Sequence, residues 1–304
     1  AIDGSPVHYS VAFRMVFGSA VAFLQSKPGF RTGIGVGVDP DMHWAHWYRH
    51  IYSDCDFGLD LDFTAFDGSL QPYMLQAAIS ILGDLAGADT ATVSAMMQPL
   101  IYSQHQIDNW YYFVRGSLPS GMPATSIVNS LVNLINLRWA LRQQDIHPAW
   151  LNQMLQMIVY GDDVAIYLKK GQEMKLDIPK LVESLQSMGL EVTDGHKNPV
   201  PKLVAVSDVV FLKRNPVLDR DGIIHPAIDP QTIYGLLAWK RDAAVLNDNL
   251  DTAMWFAYHH GPDIYAAIRN ELLENVVKQK IDYIPPTYDA LRYRYLQHAL
   301  KADP

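Results

Sequence analysis

Residues 157–168 read MIVYGDDVAIYL: two apolar, β-prone runs on either side of Gly161, Asp162 and Asp163. Such runs joined through a glycine are the pattern of a hairpin, with the acidic pair at its tip. Apolar residues on both sides make the strands read as buried. Two adjacent carboxylates on a tight turn repel, and the cost is recovered only where a cation or strong donors lie against them. For Tyr160, Gly161, Asp162 and Asp163 in isolation, a solvated turn explains the pattern as well as a metal site does.

Upstream, residues 57–63 alternate Leu59, Leu61 and Phe63 with Asp60 and Asp62, the period of a strand. Alternate residues share a face, so Asp60 and Asp62 point together. Asp67, in the stretch DLDFTAFDGSL, falls beyond the strand end, where a helix cap or first-turn acid accounts for it equally. An acidic strand beside an acidic hairpin tip supplies what phosphoryl transfer requires. Oxygens from separate strands converge on two Mg2+ ions about 3.5–4 Å apart, which clamp the attacking and leaving oxygens. Positioning and charge neutralisation account for most of that chemistry.

Around this centre, residues 29–41 (GFRTGIGVGVDPD) read as a turn-rich loop with a short strand inside it. A helix is expected over 42–53, with Asp41 as N-cap and Trp44, Trp47, Tyr48 and Ile51 on one face. Helices follow over 70–85 and 89–101, then a β-rich aromatic run over 107–114. A loop over 116–123 feeds a long helix over 125–141. An amphipathic helix over 178–188, ended by Gly189, returns through a strand at 190–193. Beyond 209–213 the pattern turns to helices and loops, which places a domain boundary near Asn215.

The 304 residues suit one large domain or two unequal ones, and 49% hydrophobic with 18% charged residues is the composition of a folded chain. The apolar stretches 127–137 and 154–160 are interrupted well before bilayer length, so no transmembrane helix is expected. Ala1 to Ser10 lacks the order of a signal peptide, and the single cysteine, Cys55, has no partner in the chain; both fit a reducing compartment, the cytosol. A net charge of -8 counts against broad nucleic-acid binding, since Lys and Arg supply most of that affinity. Local basic pairs, Lys240 with Arg241 and Arg292 with Arg294, and carboxylates matched by bound cations offset it. The aromatics of the 233–239 stretch, with Trp255 and Phe256, read as helical core rather than a base-stacking platform.

The order DFTAFD, SGMPATSIVN, YGDD, a lysine after a helix, and FLKR resembles motifs A to E of the RNA-dependent RNA polymerases of picornaviruses and their relatives. A lone GDD is a weak signal; five motifs in order are a specific one. SVAFRMVFG and VGVDPDMHW near the start extend the resemblance over nearly the whole chain. It implies an α/β (α+β) fold: a right-hand polymerase palm with an antiparallel sheet and flanking helices, partial fingers and a helical thumb. The divisions it implies are a fingers remnant over 1–20, palm over 21–67 and 121–214, a fingers insertion over 68–120, and thumb over 215–304.

By the same resemblance, Asp62 and Asp162 bind two Mg2+ (or Mn2+) ions, with Asp163 as an accessory acidic ligand. Asp67, Ser120, Gly121, Thr125 and Asn129 meet the incoming nucleotide. An acceptor carboxylate with an amide donor is chemically suited to tell ribose from deoxyribose. Lys197, in DGHKN, matches the lysine that protonates the leaving pyrophosphate, and Phe211, Leu212, Lys213 and Arg214 match the hairpin that grips the primer. Asp60 matches no motif position. The implied partners are RNA template and primer, ribonucleoside triphosphates, a protein primer bearing a tyrosine and other viral replication proteins, at membrane-associated replication sites in the host cytoplasm. One departure stands out: the family's basic finger, motif F, would end just before Ala1, so a fragment, a processed piece or one segment of a larger polypeptide is expected. Two rivals remain open at this point. A reverse transcriptase usually places a bulky aromatic where Asp67 stands, and a non-catalytic RNA-binding or scaffold module would keep the fold without the chemistry.

Overall fold

The computed structural model describes residues 4–238 and 246–299. In chain order the elements are α1 (Val7–Gln25), α2 (Pro40–Asp54), β1 (Cys55–Thr64), α3 (Phe66–Ser69), α4 (Pro72–Ala86), α5 (Thr90–Ile101), β2 (Tyr102–Ile107), β3 (Trp110–Arg115), α6 (Thr125–Arg142), α7 (Pro148–Met154), β4 (Leu155–Tyr160), β5 (Asp163–Lys169), α8 (Ile178–Ser187), β6 (Glu191–Thr193), β7 (Val204–Ala205), β8 (Arg214–Leu218), β9 (Ile224–Ile228), α9 (Pro230–Ala238), α10 (Leu246–Tyr258), α11 (Pro262–Gln279) and α12 (Tyr288–Ala299). They divide between one unit of residues 1–38 with 55–203 and a second of residues 39–54 with 204–304.

The first unit is built on an antiparallel sheet in the order β4-β5-β1-β6. β5 pairs β4 with Tyr160 opposite Asp163, and pairs β1 with Leu61 opposite Val164 and Leu59 opposite Ile166. Leu59, Leu61, Phe63, Val164 and Ile166 join one large core with apolar residues of α1, α4, α6 and α8. Ile158, Ala165 and Tyr167, which alternate with the residues of that face, are buried as well. This is why the runs flanking Gly161 are continuous rather than alternating: strands covered on both faces favour unbroken apolar sequence. The short strand expected inside 29–41 is reduced to isolated bridges at Ile34, one to Gly29 within the loop and one to Val159 at the edge of β4.

Several local expectations need correction. The run expected as β over 107–114 is the second half of a hairpin. β2 and β3 pair from Tyr102 opposite Arg115 to Ile107 opposite Trp110, around a turn in which Asp108 takes φ +52°. Residues 68–120, the expected fingers insertion, lie within the first unit, with α4 packed on α1 and α6. Against the expectation of no transmembrane helix, α1 has a mean hydropathy of 1.4 and is long and apolar enough, by length and composition, to cross a membrane. In the fold its Phe13, Phe17, Ala20 and Leu24 enter the core, and Tyr9 donates to the Met96 carbonyl at 2.8 Å.

The second unit is helical, with α2 among α9 to α12 and the hairpin β8–β9. Its core holds Ile233, Met254, Trp255, Tyr258, Tyr265, Leu291 and Tyr295, as the aromatic pattern led one to expect. The division at 203/204 lies upstream of Asn215, and residues 39–54 belong here rather than with 21–67. The reason is packing: Trp44 stacks on Phe211 at 6.3 Å, and Asp41 accepts from Trp255 Nε1 at 2.9 Å. Asp41 is not the N-cap of α2. Asp39 precedes the helix and its Oδ1 accepts from the Asp41 N–H at 2.9 Å, while Pro40 takes the first helical position, where a missing N–H costs nothing.

Candidate active site

β1 carries Asp62 to the place where the strand changes partner. Its last pair with β5 is Leu61 opposite Val164, and Asp62 itself lies opposite Thr193 of β6. Next to it in the sheet is the β4–β5 turn, whose Gly161 takes φ +64°. That glycine is held at both polar groups by α6. Ser130 Oγ accepts the Gly161 N–H at 2.8 Å and donates to the Ser126 carbonyl at 2.6 Å, while Asn133 Nδ2 donates to the Gly161 carbonyl at 3.0 Å. Ser130 and Asn133 are fully buried, so the turn bearing Asp162 is fixed from beneath.

Asp162 is exposed at the tip, yet its carboxyl is pushed above the usual range, first by partial burial and then by the charges of Asp62 and Asp67. Its own backbone N–H and the Lys197 ammonium pull the other way. Lys197 reaches the cluster from the 194–198 loop and pairs its Nζ directly with Asp62 Oδ2. Asp163 is the half-buried first residue of β5.

Asp67 sits in α3, which starts after Ala65 at φ +49°. Its Oδ1 accepts from Asn129 Nδ2 at 2.6 Å and its Oδ2 from the Ser120 hydroxyl at 2.9 Å. The Asn129 Oδ1 is left buried without a hydrogen-bond partner. Thr125 does not meet Asp67; its hydroxyl donates to the Met122 carbonyl at 2.6 Å and braces the 119–124 loop. Gly121, in that loop, accepts from the Ser5 N–H at 3.4 Å.

The structure thus gathers Asp62, Asp67, Asp162, Lys197, Ser120 and Asn129. Among the described residues, no three His, Cys, Asp or Glu side chains form a ready metal site, so Asp62, Asp162 and Asp163 are not assembled as a three-carboxylate cage. Lys197 is the cation that matches Asp62. The donor set nevertheless fits hard divalent ions: it is all carboxylate oxygen, and such an ion would offset the burial and, beside it, the charges of Asp62 and Asp67 that together raise Asp162.

Of the residues expected to grip a primer, all in the second unit, Phe211 is core and Leu212 and Lys213 form a tight turn at φ +53° and +57°. Phe211 and Arg214 exchange both backbone bonds across it at 3.0 Å. Arg214 lies half-buried over the Phe256 ring at 5.7 Å, and burial lowers its pKa; Lys213 is exposed. Arg292 pairs with Asp221 at 2.6 Å and Asp219 at 3.7 Å, and Arg294 lies 4.6 Å over Trp255. Lys240, Arg241 and Trp239 lie outside the described residues.

Sequence reasoning missed Ser130 and Asn133. The available signal was polar residues inside an apolar helix, since buried polar groups are hydrogen-bonded and these had to be bonded to something. It also left Asp60 without a role, although Asp60 Oδ1 accepts the Gly195 N–H at 2.8 Å in the loop that bears Lys197.

Comparison with known proteins bears on the fold and the family. The genome polyprotein of human hepatitis A virus genotype IB (isolate MBB) is 38% identical over 307 residues, covering 100% of this chain and 14% of the polyprotein. That of avian encephalomyelitis virus (strain L2Z) is 37% identical over 298 residues, covering 97% of this chain and again 14% of the polyprotein. Among solved structures, the Sicinivirus 3Dpol RNA dependent RNA polymerase superposes with a TM-score of 0.84 at 28% identity, over 98% of this chain and 63% of that one. The chain therefore spans a small part of the polyproteins and under two thirds of that polymerase. A family model described as viral RNA-dependent RNA polymerase matches residues 1–277, and the chain belongs to that family, of picornavirus type.

Proposed function

We propose that this chain bears the nucleotidyl-transfer centre of an RNA-directed RNA polymerase, adding ribonucleotides to an RNA 3' end on a template and releasing pyrophosphate. The observation behind the reading is the convergence of Asp62, Asp67 and Asp162 from a strand, a helix start and a hairpin tip, close enough that the first two raise the carboxyl of the third. Asp62 and Asp162 would hold two divalent ions, Mg2+ or Mn2+, with Asp163 as an accessory acid. Bound there, the ions neutralise charge on the attacking and leaving oxygens. Lys197 holds a proton at Nζ beside Asp62, placed for a leaving pyrophosphate.

Asp67 and Asn129 read the ribose. The buried, unpartnered Asn129 Oδ1 is an acceptor waiting for a donor, and a 2'-hydroxyl supplies one that deoxyribose lacks. Ser120 holds the other oxygen of Asp67, and Thr125 braces the loop in which Ser120 and Gly121 sit. Of the primer-gripping candidates Lys213 is exposed on its own unit, with Leu212 and Arg214 half-buried beside it. RNA template and primer, ribonucleoside triphosphates, a protein primer and membrane-associated sites in the host cytoplasm complete the proposal.

A second reading, an RNA-binding scaffold without chemistry, draws on the Lys197 pairing that already matches Asp62. Nucleotide incorporation on a primed RNA in Mg2+ separates the two. Asp162→Asn should reduce incorporation by at least about a hundredfold, since a carboxylate ligand to the ions is lost. Equal incorporation by wild type and variant ends the catalytic reading; equal RNA affinity with no incorporation by either leaves the scaffold.

A further inference from the structure

We infer that Asp60, which matches none of the polymerase motif positions, is a positioning residue that fixes the loop delivering Lys197 to Asp62. The inference deepens the polymerase reading and rests on it for its catalytic consequence, while the geometry stands by itself.

Asp60 is 6% exposed, lies opposite Ala165 of β5, and is flanked by the fully buried Leu59 and Leu61. An apolar residue is the default on a strand buried on both faces, and a carboxylate there costs free energy unless strong donors hold it. Asp60 lies on the face of Asp62, two residues back, or roughly 7 Å along the strand. From that place its Oδ1 accepts the Gly195 N–H at 2.8 Å, a charge-assisted bond about twice as strong as a neutral one.

Gly195 belongs to a loop tied tightly to itself. Asp194 accepts from the His196 N–H at 3.0 Å, the Asn198 N–H at 2.7 Å and Asn198 Nδ2 at 2.7 Å. Its own N–H donates to the Asn198 carbonyl at 3.0 Å, and the Lys197 N–H donates to the Asp194 carbonyl at 2.9 Å. Within this knot Lys197 adopts φ +65°. A self-tied loop behaves as one body. The strand β6 holds it at Thr193, opposite Asp62. The Gly195–Asp60 bond is a further attachment to β1, nearer Lys197 than that pair, and it sets the tilt at which the Lys197 side chain crosses to Asp62. Two acids on one face of β1 then have different work: Asp62 meets the ammonium, and Asp60 aims the loop that carries it.

The test reads Lys197 itself. Acylation by a succinimidyl ester is followed by peptide mass spectrometry in wild type, Asp60→Asn, Asp60→Ala and Gly195→Pro, with the exposed Lys180 as internal reference. Asp60→Ala should raise the Lys197 to Lys180 ratio about two- to fivefold, the factor for losing an exposed ion pair. Asp60→Asn, whose amide oxygen still accepts from the Gly195 N–H, should stay close to wild type. Gly195→Pro deletes the same bond from the loop side without touching β1, so it decides the matter if Asp60→Ala does not fold. An unmoved ratio in Asp60→Ala or Gly195→Pro overturns the inference, as does an Asp60→Asn ratio equal to that of Asp60→Ala. Primer extension by the same proteins is scored separately. A ratio that follows the series while not even the wild type extends a primer keeps the positioning role and sinks the polymerase reading; extension by the wild type with a static ratio does the reverse.

Discussion

Replacing Ser130 by alanine removes the hydroxyl that accepts the Gly161 N–H at 2.8 Å, and Gly161 is itself buried at the foot of the acidic turn. No water reaches the orphaned donor, so the variant bears its desolvation cost, about 1–3 kcal/mol for a neutral buried group. The hydroxyl's own bond to the Ser126 carbonyl adds little to this, because a helix carbonyl keeps its ladder partner. Asn133→Asp perturbs the same turn from its other side. Nδ2 becomes an oxygen facing the Gly161 carbonyl at about the present 3.0 Å, and the new carboxyl is fully buried. That change should cost at least about 3 kcal/mol, since an acceptor replaces a donor and a charge must be either desolvated or neutralised. Urea titration at pH 7 measures both, with an unchanged slope showing that the comparison concerns stability alone. If Ser130→Ala stays within about 0.5 kcal/mol of wild type, the range of an ordinary surface change, α6 does not clamp the turn as argued.

Asn129→Ala should relax the choice between ribo- and deoxyribonucleotides by roughly ten- to a hundredfold, the equivalent of one polar contact at a desolvated site; an unchanged ratio of incorporation removes Asn129 from sugar recognition. Gly116→Ala should destabilise by about 1–3 kcal/mol or more in a urea melt, because the backbone is at φ +76° and a Cβ would stand 2.4 Å from the Leu70 carbonyl oxygen; a neutral effect would mean that the loop before α6 has room to shift. In the second unit, burial pushes His259 down to about 4, aided by His225 and Arg214 and opposed by Asp41. The folded state keeps His259 neutral while the unfolded chain takes a proton near pH 6.5, so stability is complete above that pH and falls as the pH drops towards 4. Between pH 7 and pH 5 this amounts to about 2 kcal/mol, and His259→Gln should flatten the urea midpoint over that interval by a matching amount; an equal slope in both proteins refutes it.

What could be read from residues alone follows from how local each determinant is. The acidic turn and the strand of Asp62 were legible because apolar period and turn chemistry are written within a dozen residues. Helices α4, α5, α6 and α8 likewise lie within about two residues of their expected ends, and Asp89 caps α5 with bonds to Thr92. The allegiance of residues 39–54 was not legible. Their apolar face, Trp44, Trp47, Tyr48 and Ile51, declares that a partner exists without naming it, and the partner, Phe211, lies far along the chain. The setting of Arg214 was hidden in the same way: as a letter it is a cation for RNA, and only the fold places it over Phe256.

The same distinction explains the polar residues of α6. In sequence, Asn129, Ser130, Asn133 and Asn136 look like interruptions that would weaken a core helix. In the structure they are buried, and three of them divide the labour of the site: Asn129 holds Asp67, while Ser130 and Asn133 hold the turn of Asp162. One rigid helix thus sets the spacing between the group assigned to the sugar and the group assigned to the ions. A helix of purely apolar residues would pack as well against α4 and β4, but it would leave those two carboxylates to find their separation independently. Coupling them through α6 is what lets recognition of the ribose and alignment for chemistry be a single event, and it requires that lesions at Asn129 and Ser130 be non-additive in incorporation. If the double variant loses activity as the plain product of the two singles, the helix is a shared support and nothing more.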